Sequence, residues 1–251
     1  MTHEPALNGR AAVFFDLDGT LLPGPSLERR FLSELRRNNK IPLINYFYWS
    51  LEALRLLPKG ILAIQHGNKR YLTGVYRDLV FQYMESISFF EEGIARVAWH
   101  ARQEHEIVLV SGTLEPLAEL AASALECELE LRNIHLNAQI CATGLLEVRG
   151  QWTGRLSAEA MQGPAKARAV EAFAKQHQID LLRSNAYGNN LLDRHFLSAV
   201  GYAHAVNPGR EFAALANKRN WPVWHWYLEK QIAAQHSPNL VEEIHHIEER
   251  A

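Results

Sequence analysis

The sequence predicts an α/β protein: a parallel β-sheet with helices on both faces, interrupted after its first strand by an inserted helical segment. Short apolar runs alternate with helical patterns along most of the chain, an order typical of parallel sheets that are covered by helices. Each apolar run ends in glycine or polar residues, and folds of this kind bind ligands where their parallel strands end. Residues 24–94 break the alternation with a stretch that is helical throughout.

The apolar runs and the periodic patterns between them give the order of the elements. Strands are predicted at 11–17, 106–110, 182–187, 201–206 and 222–227, and helices at 115–126, 165–178 and 210–220. Gly150 lies between two short alternating runs, which predicts a β-hairpin at the edge of the core within residues 127–157.

We therefore expect three parts: a discontinuous α/β core of residues 1–23 and 95–236, a helical cap of residues 24–94, and a C-terminal tail of residues 237–251. The tail is acidic and helix-prone. Its adjacent His245 and His246 are expected to lie on the surface, because neighbouring residues of a helix do not face one metal.

The composition excludes several classes of protein. With 251 residues, 47% hydrophobic and 22% charged, the chain is an ordinary globular protein. Its net charge of -2 gives no electrostatic reason to expect a nucleic-acid partner. Cys127 and Cys141 are too few for a disulfide framework, and the start of the chain shows no signal-peptide pattern. The longest strongly apolar stretch, 41–51, is too short for a transmembrane segment, so a cytoplasmic protein is expected; the oligomeric state is not predicted.

The predicted cap is basic and rich in aromatic residues. Residues 24–95 carry ten lysines and arginines and seven acids, a net charge of +3. This charge fits either solvated helix faces or a segment that attracts an anionic substrate. The cap's aromatic residues fit either the cap's own core or a pocket for an apolar leaving group.

The segment Asp16-Leu17-Asp18-Gly19-Thr20 carries the strongest chemical signal. Because side chains alternate along a strand, Asp16 and Asp18 project to the same side. Two such carboxylates can divide phosphoryl transfer between them: Asp16 as a nucleophile that forms an aspartyl-phosphate, and Asp18 as the acid and base. Adjacent carboxylates repel each other and a phosphate, so we expect Mg²⁺ to neutralise the site.

With this motif the sequence resembles the haloacid dehalogenase-like (HAD) superfamily, and within it the phosphoserine-phosphatase-like subfamily IB. The resemblance covers roughly residues 10–220, with four motifs in the expected order: DLDGT, VLVSGT, a later lysine, and GNNLLD. It implies a Rossmann-like core, a helical cap inserted after the first strand, and a magnesium-dependent phosphatase. Relatives that are dehalogenases lack an acid two residues after the nucleophile, so Asp18 favours a phosphatase.

The phosphate-binding residues are predicted to be Ser111, Gly112 and Lys166. A serine hydroxyl and the following backbone N–H can both donate to a phosphate oxygen. Lys166 follows Gly163-Pro164 at a predicted helix N-terminus, a position that suits an anion. The other lysine of this region, Lys175, lies further along the helix.

The fourth motif departs from the family pattern, because its first acidic position, which the resemblance implies is a metal ligand, is Asn189. We expect Asp16, Asp18 and Asn189 to hold the metal, since an amide oxygen also suits magnesium, although Asp193 or a water is an alternative to Asn189. Thr20 and Asp193 are expected to support these residues. A catalytically weakened binding module remains an alternative to an enzyme.

The substrate is expected to be a small phosphorylated metabolite. Similar phosphoserine phosphatases carry a glutamate nine residues after the nucleophile that binds the substrate amine, and here Pro25 occupies that position. Glu28 is the alternative, three residues later. A lipid phosphate or other amphipathic phosphoester is the second candidate, suggested by the aromatic and basic cap.

Overall fold

The computed structural model describes residues 9–84 and 86–227. Eight strands occur there: β1 Ala12–Phe15, β2 Glu106–Leu114, β3 Gln139–Thr143, β4 Leu145–Val148, β5 Gln151–Leu156, β6 Asn185–Gly188, β7 Tyr202–Val206 and β8 Val223–Trp224. Six of them form one parallel sheet in the order β3-β2-β1-β6-β7-β8. The first strand of the chain is therefore central.

The described residues contain nine α-helices: α1 Leu27–Arg37, α2 Leu43–Leu56, α3 Ile61–Gly67, α4 Leu79–Tyr83, α5 Glu91–Arg102, α6 Glu115–Glu130, α7 Pro164–His177, α8 Arg194–Leu197 and α9 Arg210–Lys218. Short 3-10 turns occur at 57–59, 70–72, 181–183 and 191–193. The predicted fold class, a parallel sheet with helices and an insert after its first strand, is confirmed.

The alternation of side chains along β1 divides the interior into two cores. Val13 and Phe15 pack in the core that also contains the buried sides of α1, α5 and α6. Ala12 and Phe14 point the other way, into the core shared with α7, α8 and α9. All four side chains are completely buried, which explains why this strand is a continuous apolar run.

The predicted hairpin forms, but it is not part of the main sheet. β4 and β5 are antiparallel around Arg149 and Gly150. Their partner is the insert: the Gly74 N–H donates to the Trp152 carbonyl (2.8 Å), and the Trp152 N–H donates to the Val75 carbonyl (3.0 Å). The edge strands of the main sheet are β3 and β8. The hairpin was therefore predicted correctly as an element, whereas its contact with the insert was not predicted, because that pairing is long-range.

Three further expectations need correction. The insert is not helical throughout, since non-helical segments at 73–77 and 86–90 separate its helices. The last strand is limited to Val223–Trp224, because the chain then folds back and the Trp226 N–H donates to Asn207 Oδ1 (2.8 Å). The second strand does not end at residue 110 but continues to Leu114 through a shift of register against β3.

The domain boundaries stay a proposal. The expected boundary between residues 94 and 95 falls inside α5, which begins at Glu91. Residues 1–8 and the tail at 237–251, including His245 and His246, lie outside the described residues. In the part of the chain that is described, no helix has both the length and the apolar character needed to cross a membrane.

Candidate active site

The predicted site residues meet around one cavity at the carboxyl ends of the central strands. Its volume is about 670 Å³, and its wall includes Asp16, Asp18, Ser111, Gly112 and Lys166. β1 is flanked by β2 and β6, so the loops that follow these three strands converge there. This is the position that the parallel topology predicts for a ligand site.

Asp16 is held by hydrogen bonds on both carboxylate oxygens. The Lys166 ammonium donates to Oδ1 (2.6 Å), and the Thr20 hydroxyl donates to Oδ2 (3.0 Å). The Asp16 backbone N–H donates to the Tyr187 carbonyl (2.9 Å), which fixes the end of β1 against β6. Asp16 is 3% exposed, and its side chain therefore has one defined orientation at the floor of the cavity.

Asp18 lies in the tight turn that leaves β1. The Gly19 N–H donates to the Leu22 carbonyl (2.7 Å), and Gly19 has a φ of +85°, a conformation that glycine adopts without strain. Asp18 Oδ1 accepts the backbone N–H of Leu27, the first residue of α1, at 2.8 Å. The first carboxylate of the pair is thus tied to the core, and the second is tied to the first helix of the insert.

Ser111 and Gly112 reach the cavity because β2 is irregular there. The register of β2 against β3 shifts between Val110 and Leu114. The Thr143 hydroxyl of β3 donates to the Gly112 carbonyl (2.8 Å), which holds the bulged segment in place. A bulge of this kind re-aims side chains next to a site.

In the loop after β6, Asp193 is engaged in more hydrogen bonds than Asn189, whose Oδ1 accepts the Asn190 side-chain amide (3.0 Å). Asp193 Oδ1 accepts the Lys166 ammonium (2.8 Å), and Asp193 Oδ2 accepts the backbone N–H groups of Asn189 and Asn190 (3.1 Å each). Asp193 is fully buried, so both of its oxygens are committed. It positions Lys166 and shapes the loop.

Burial perturbs the pKa values of this cluster. Loss of water raises the pKa of Asp16 to about 7, against the lowering effect of the Lys166 ammonium. Burial alone lowers the pKa of Lys166, but the carboxylates of Asp16 and Asp193 outweigh it and the pKa is raised. Lys166 is therefore a permanent cation. Burial also raises the pKa of Asp18, with the Leu27 N–H acting in the opposite direction.

The donor set fits a magnesium ion. A Cβ built on Gly19 would lie 1.9 Å from Asn189 Nδ2, so the Asn189 amide abuts the turn that carries Asp18. Asp16, Asp18 and Asn189 together offer only oxygen ligands, the type that magnesium takes. Within 9–84 and 86–227, no group of three or more His, Cys, Asp or Glu is arranged to hold a metal.

The insert contributes a polar cluster to the opposite wall of the cavity. Glu28 Oε1 accepts hydrogen bonds from the Lys69 ammonium and the Tyr71 hydroxyl, and all three residues line the cavity. Burial and the neighbouring Glu28 raise the pKa of Tyr71 well above its ordinary value, so its hydroxyl keeps the proton that it donates. Of the cap aromatics, Tyr71 and Trp49 line the cavity, whereas Phe90 packs in the core.

Sequence reasoning missed Gln162, Lys69 and Tyr71. A Cβ on Gly112 would lie 1.7 Å from Gln162 Nε2, so this amide stands directly against the Ser111–Gly112 segment. The sequence signal that could have identified Gln162 is its position just before Gly163-Pro164, where α7 begins. Lys69 and Tyr71 had no local signal, because their significance comes from Glu28, which is some 40 residues away in the chain.

Comparison with known proteins identifies the family to which this chain belongs. The haloacid dehalogenase-like hydrolase family matches residues 13–198, and the chain belongs to this family. Phosphoserine phosphatase SerB1 of Mycobacterium tuberculosis is 26% identical over 242 residues, covering 92% of this chain and 75% of that protein.

Two solved structures share the fold. A protein of unknown function from Bordetella pertussis Tohama I superposes with a TM-score of 0.64 at 20% identity, covering 86% of this chain and 99% of that one. A phosphoserine phosphatase in its apo form gives 0.59 at 16% identity, covering 86% of this chain and 93% of that one. The chain is a phosphoserine-phosphatase-like HAD hydrolase, a phosphoric monoester hydrolase by family.

Proposed function

We propose that this protein hydrolyses a phosphate monoester in the cytoplasm, with Asp16 as the nucleophile, through an aspartyl-phosphate intermediate and with Mg²⁺ as cofactor. The observation that carries the proposal is the buried arrangement of Asp16, Lys166 and Asp193 beside Asp18 in one cavity. It supplies a fixed carboxylate, a permanent cation and a second carboxylate, which are the groups that phosphoryl transfer needs.

The residues divide the reaction between them. Lys166 and Thr20 hold the Asp16 carboxylate while one of its oxygens attacks phosphorus and the ester oxygen leaves. The Asp18 carboxyl, with its pKa raised by burial, protonates that oxygen and then takes a proton from the water that cleaves the acyl phosphate. Ser111 and the Gly112 N–H bind the phosphate oxygens.

Magnesium, held by Asp16, Asp18 and Asn189, would neutralise the negative charge that the carboxylates and the phosphate bring together. The pKa of Asp16 is raised to about 7 in the protein without a metal, so the positive charge of magnesium would also act on the ionisation of Asp16. A cation beside the carboxylate favours its ionised form, which is the form that attacks.

The substrate is proposed to be a small phosphorylated metabolite other than phosphoserine. Pro25 occupies the place of the amine-binding glutamate, and the alternative, Glu28, is already paired with Lys69 and Tyr71. A carboxylate neutralised by a buried lysine is a poor site for a substrate ammonium group. The second candidate is an amphipathic phosphoester, favoured by Trp49, Leu191 and other apolar side chains in the cavity wall.

Hydrolysis of p-nitrophenyl phosphate with Mg²⁺ tests the reaction. Asp16→Asn should lower kcat by at least about a thousandfold, because it removes the nucleophile. Lys175→Ala is the matched control, since this lysine lies on α7 away from the cavity, and it should retain full activity. A panel of amino-acid, sugar, nucleotide and lipid phosphates then identifies the substrate. No turnover of any of these esters would refute the proposed activity and favour a phosphate-binding module.

A further inference from the structure

The most unusual surface of the protein is the outer side of α2 and α3. Of the twenty-one large apolar side chains that are exposed in the described residues, eleven lie between positions 43 and 62. Leu43, Leu54 and Phe47 are 86%, 68% and 57% exposed. Large contiguous apolar surfaces are uncommon on proteins that have no partner there.

These side chains form one stripe on α2. At 3.6 residues per turn, positions 43, 47 and 54 fall within about 40° of one another around the helix axis. Leu51 and Ile44, which are also exposed, extend the same side. A helix normally turns such a stripe toward the core, whereas here it faces solvent.

The attachment of α2 explains why the stripe is left outside. The inner side of the helix carries polar contacts beside the buried Leu56: Asn45 is buried, and its Nδ2 donates to the carbonyls of Tyr71 (3.0 Å) and Thr73 (2.7 Å). Glu52, also on the inner side, forms an ion pair with Arg70 (3.7 Å). These polar contacts and Leu56 attach α2 to the rest of the insert, and the exposed apolar stripe takes no part in the attachment.

The basic residues around the stripe indicate which kind of partner binds there. Residues 36–67 contain five basic residues and one acid, Glu52. Arg36, Arg37, Lys40 and Lys59 are exposed at the two ends of α2. An apolar helix face flanked by lysine and arginine, with tyrosines at its margins, matches the layers of an anionic bilayer surface.

We infer that the outer face of α2 and α3 docks this protein on the surface of an anionic lipid bilayer. The apolar stripe enters the boundary between headgroups and acyl chains, and the flanking basic residues contact anionic headgroups. This function is separate from the proposed hydrolysis, although Trp49 of α2 and Ile64 of α3 also line the catalytic cavity. The docked face and the cavity wall are thus two sides of the same pair of helices.

Co-sedimentation of the full chain with vesicles tests the inference. The protein should bind vesicles of phosphatidylglycerol and phosphatidylcholine more tightly than vesicles of phosphatidylcholine alone, and binding should weaken as salt is added. The double variant Leu43→Glu with Leu54→Glu should lower the partition coefficient by at least about tenfold. The matched control is Leu131→Glu with Leu182→Glu, at leucines that are 78% and 69% exposed elsewhere on the surface, and it should bind like the wild type.

A second pair of variants tests the charges. Lys40→Gln with Lys59→Gln should reduce the preference for phosphatidylglycerol, whereas Lys175→Gln with Lys218→Gln should not. Hydrolysis of p-nitrophenyl phosphate, measured on every variant, reports that the fold is intact and that a loss of binding is not a loss of structure.

Three results would overturn the inference. One is a wild type that stays in the supernatant with both kinds of vesicle. The second is a concentration-dependent dimer that the glutamates at positions 43 and 54 abolish, which would assign the face to a second copy of the chain. The third is vesicle binding that appears only after residues 228–251 are removed, which would assign the face to the chain's own C-terminal segment.

Discussion

Replacing Lys166 with methionine tests the buried charge cluster at the centre of the site. The Lys166 ammonium donates to Asp16 (2.6 Å) and Asp193 (2.8 Å), and the residue is 2% exposed. Methionine keeps most of the volume and removes the charge, which leaves two carboxylates facing each other away from water. Breaking a buried ion pair in this way costs about 3–5 kcal/mol.

The cost should depend on pH, and the direction follows from Asp16. Its pKa in the folded protein, about 7, already lies above the ordinary value of 3.8. Without Lys166 we expect it to rise further, since the cation that favours ionisation is gone. A group whose folded pKa is raised contributes stability at low pH that is lost as the pH rises through that pKa. Lys166→Met should therefore be destabilised more at pH 8.5 than at pH 6.

Guanidinium denaturation followed by tryptophan fluorescence measures the effect at both pH values. Lys69→Met is the control, because Lys69 is equally buried but pairs with a single carboxylate, Glu28, which keeps the Tyr71 hydroxyl as a partner. Its cost should be about 1–2 kcal/mol. If Lys166→Met costs no more than Lys69→Met, or if its cost does not grow with pH, the assignment of a charged, coupled cluster is wrong.

Two further predictions concern the metal and acid stability. Asn189→Asp should lower the Mg²⁺ concentration for half-maximal hydrolysis by about tenfold, since it adds a charged oxygen ligand. The control is Asn190→Asp, which adds the same charge one residue further along the chain. An equal response to both variants would exclude a ligand role for Asn189. Burial lowers the pKa of His100 to about 3 and that of His204 to about 4, so both are neutral in the folded protein while the unfolded chain protonates near 6.5. Stability is then lost as the pH falls below 6.5, by at most roughly 3 kcal/mol per histidine at pH 4, and His204→Gln should flatten this loss in denaturation measured between pH 7 and pH 4.5.

The central strands could be predicted because their sequence signal is local. β1 is buried on both sides, so it is apolar at every position, and Asp16 follows it directly. Lys166 could be found from the proline that begins its helix. For these residues the strand or helix end that places the side chain in the site is itself visible in the sequence.

Other features could not be predicted, because they depend on contacts between distant parts of the chain. The bulge that presents Ser111 and Gly112 is held by Thr143 of another strand, and nothing in the local pattern indicates it. The pairing of β5 with residues 74–77 is of the same kind. The pairing of Glu28 with Lys69 is also of this kind, and it makes the alternative amine-binding carboxylate part of a polar cluster.

The orientation of α2 shows a separate limit of periodicity. A helical pattern tells which residues share a side, but the side that faces the protein is decided by which contacts are available. In α2 the buried hydrogen bonds of Asn45 and the ion pair of Glu52 with Arg70 occupy the inner side. Because these contacts, and not the leucines at positions 43 and 54, attach the helix, the exposed leucines can be exchanged for charged residues without opening the fold. Vesicle binding and phosphate hydrolysis therefore report on different surfaces of the same helix, and each can fail while the other stands.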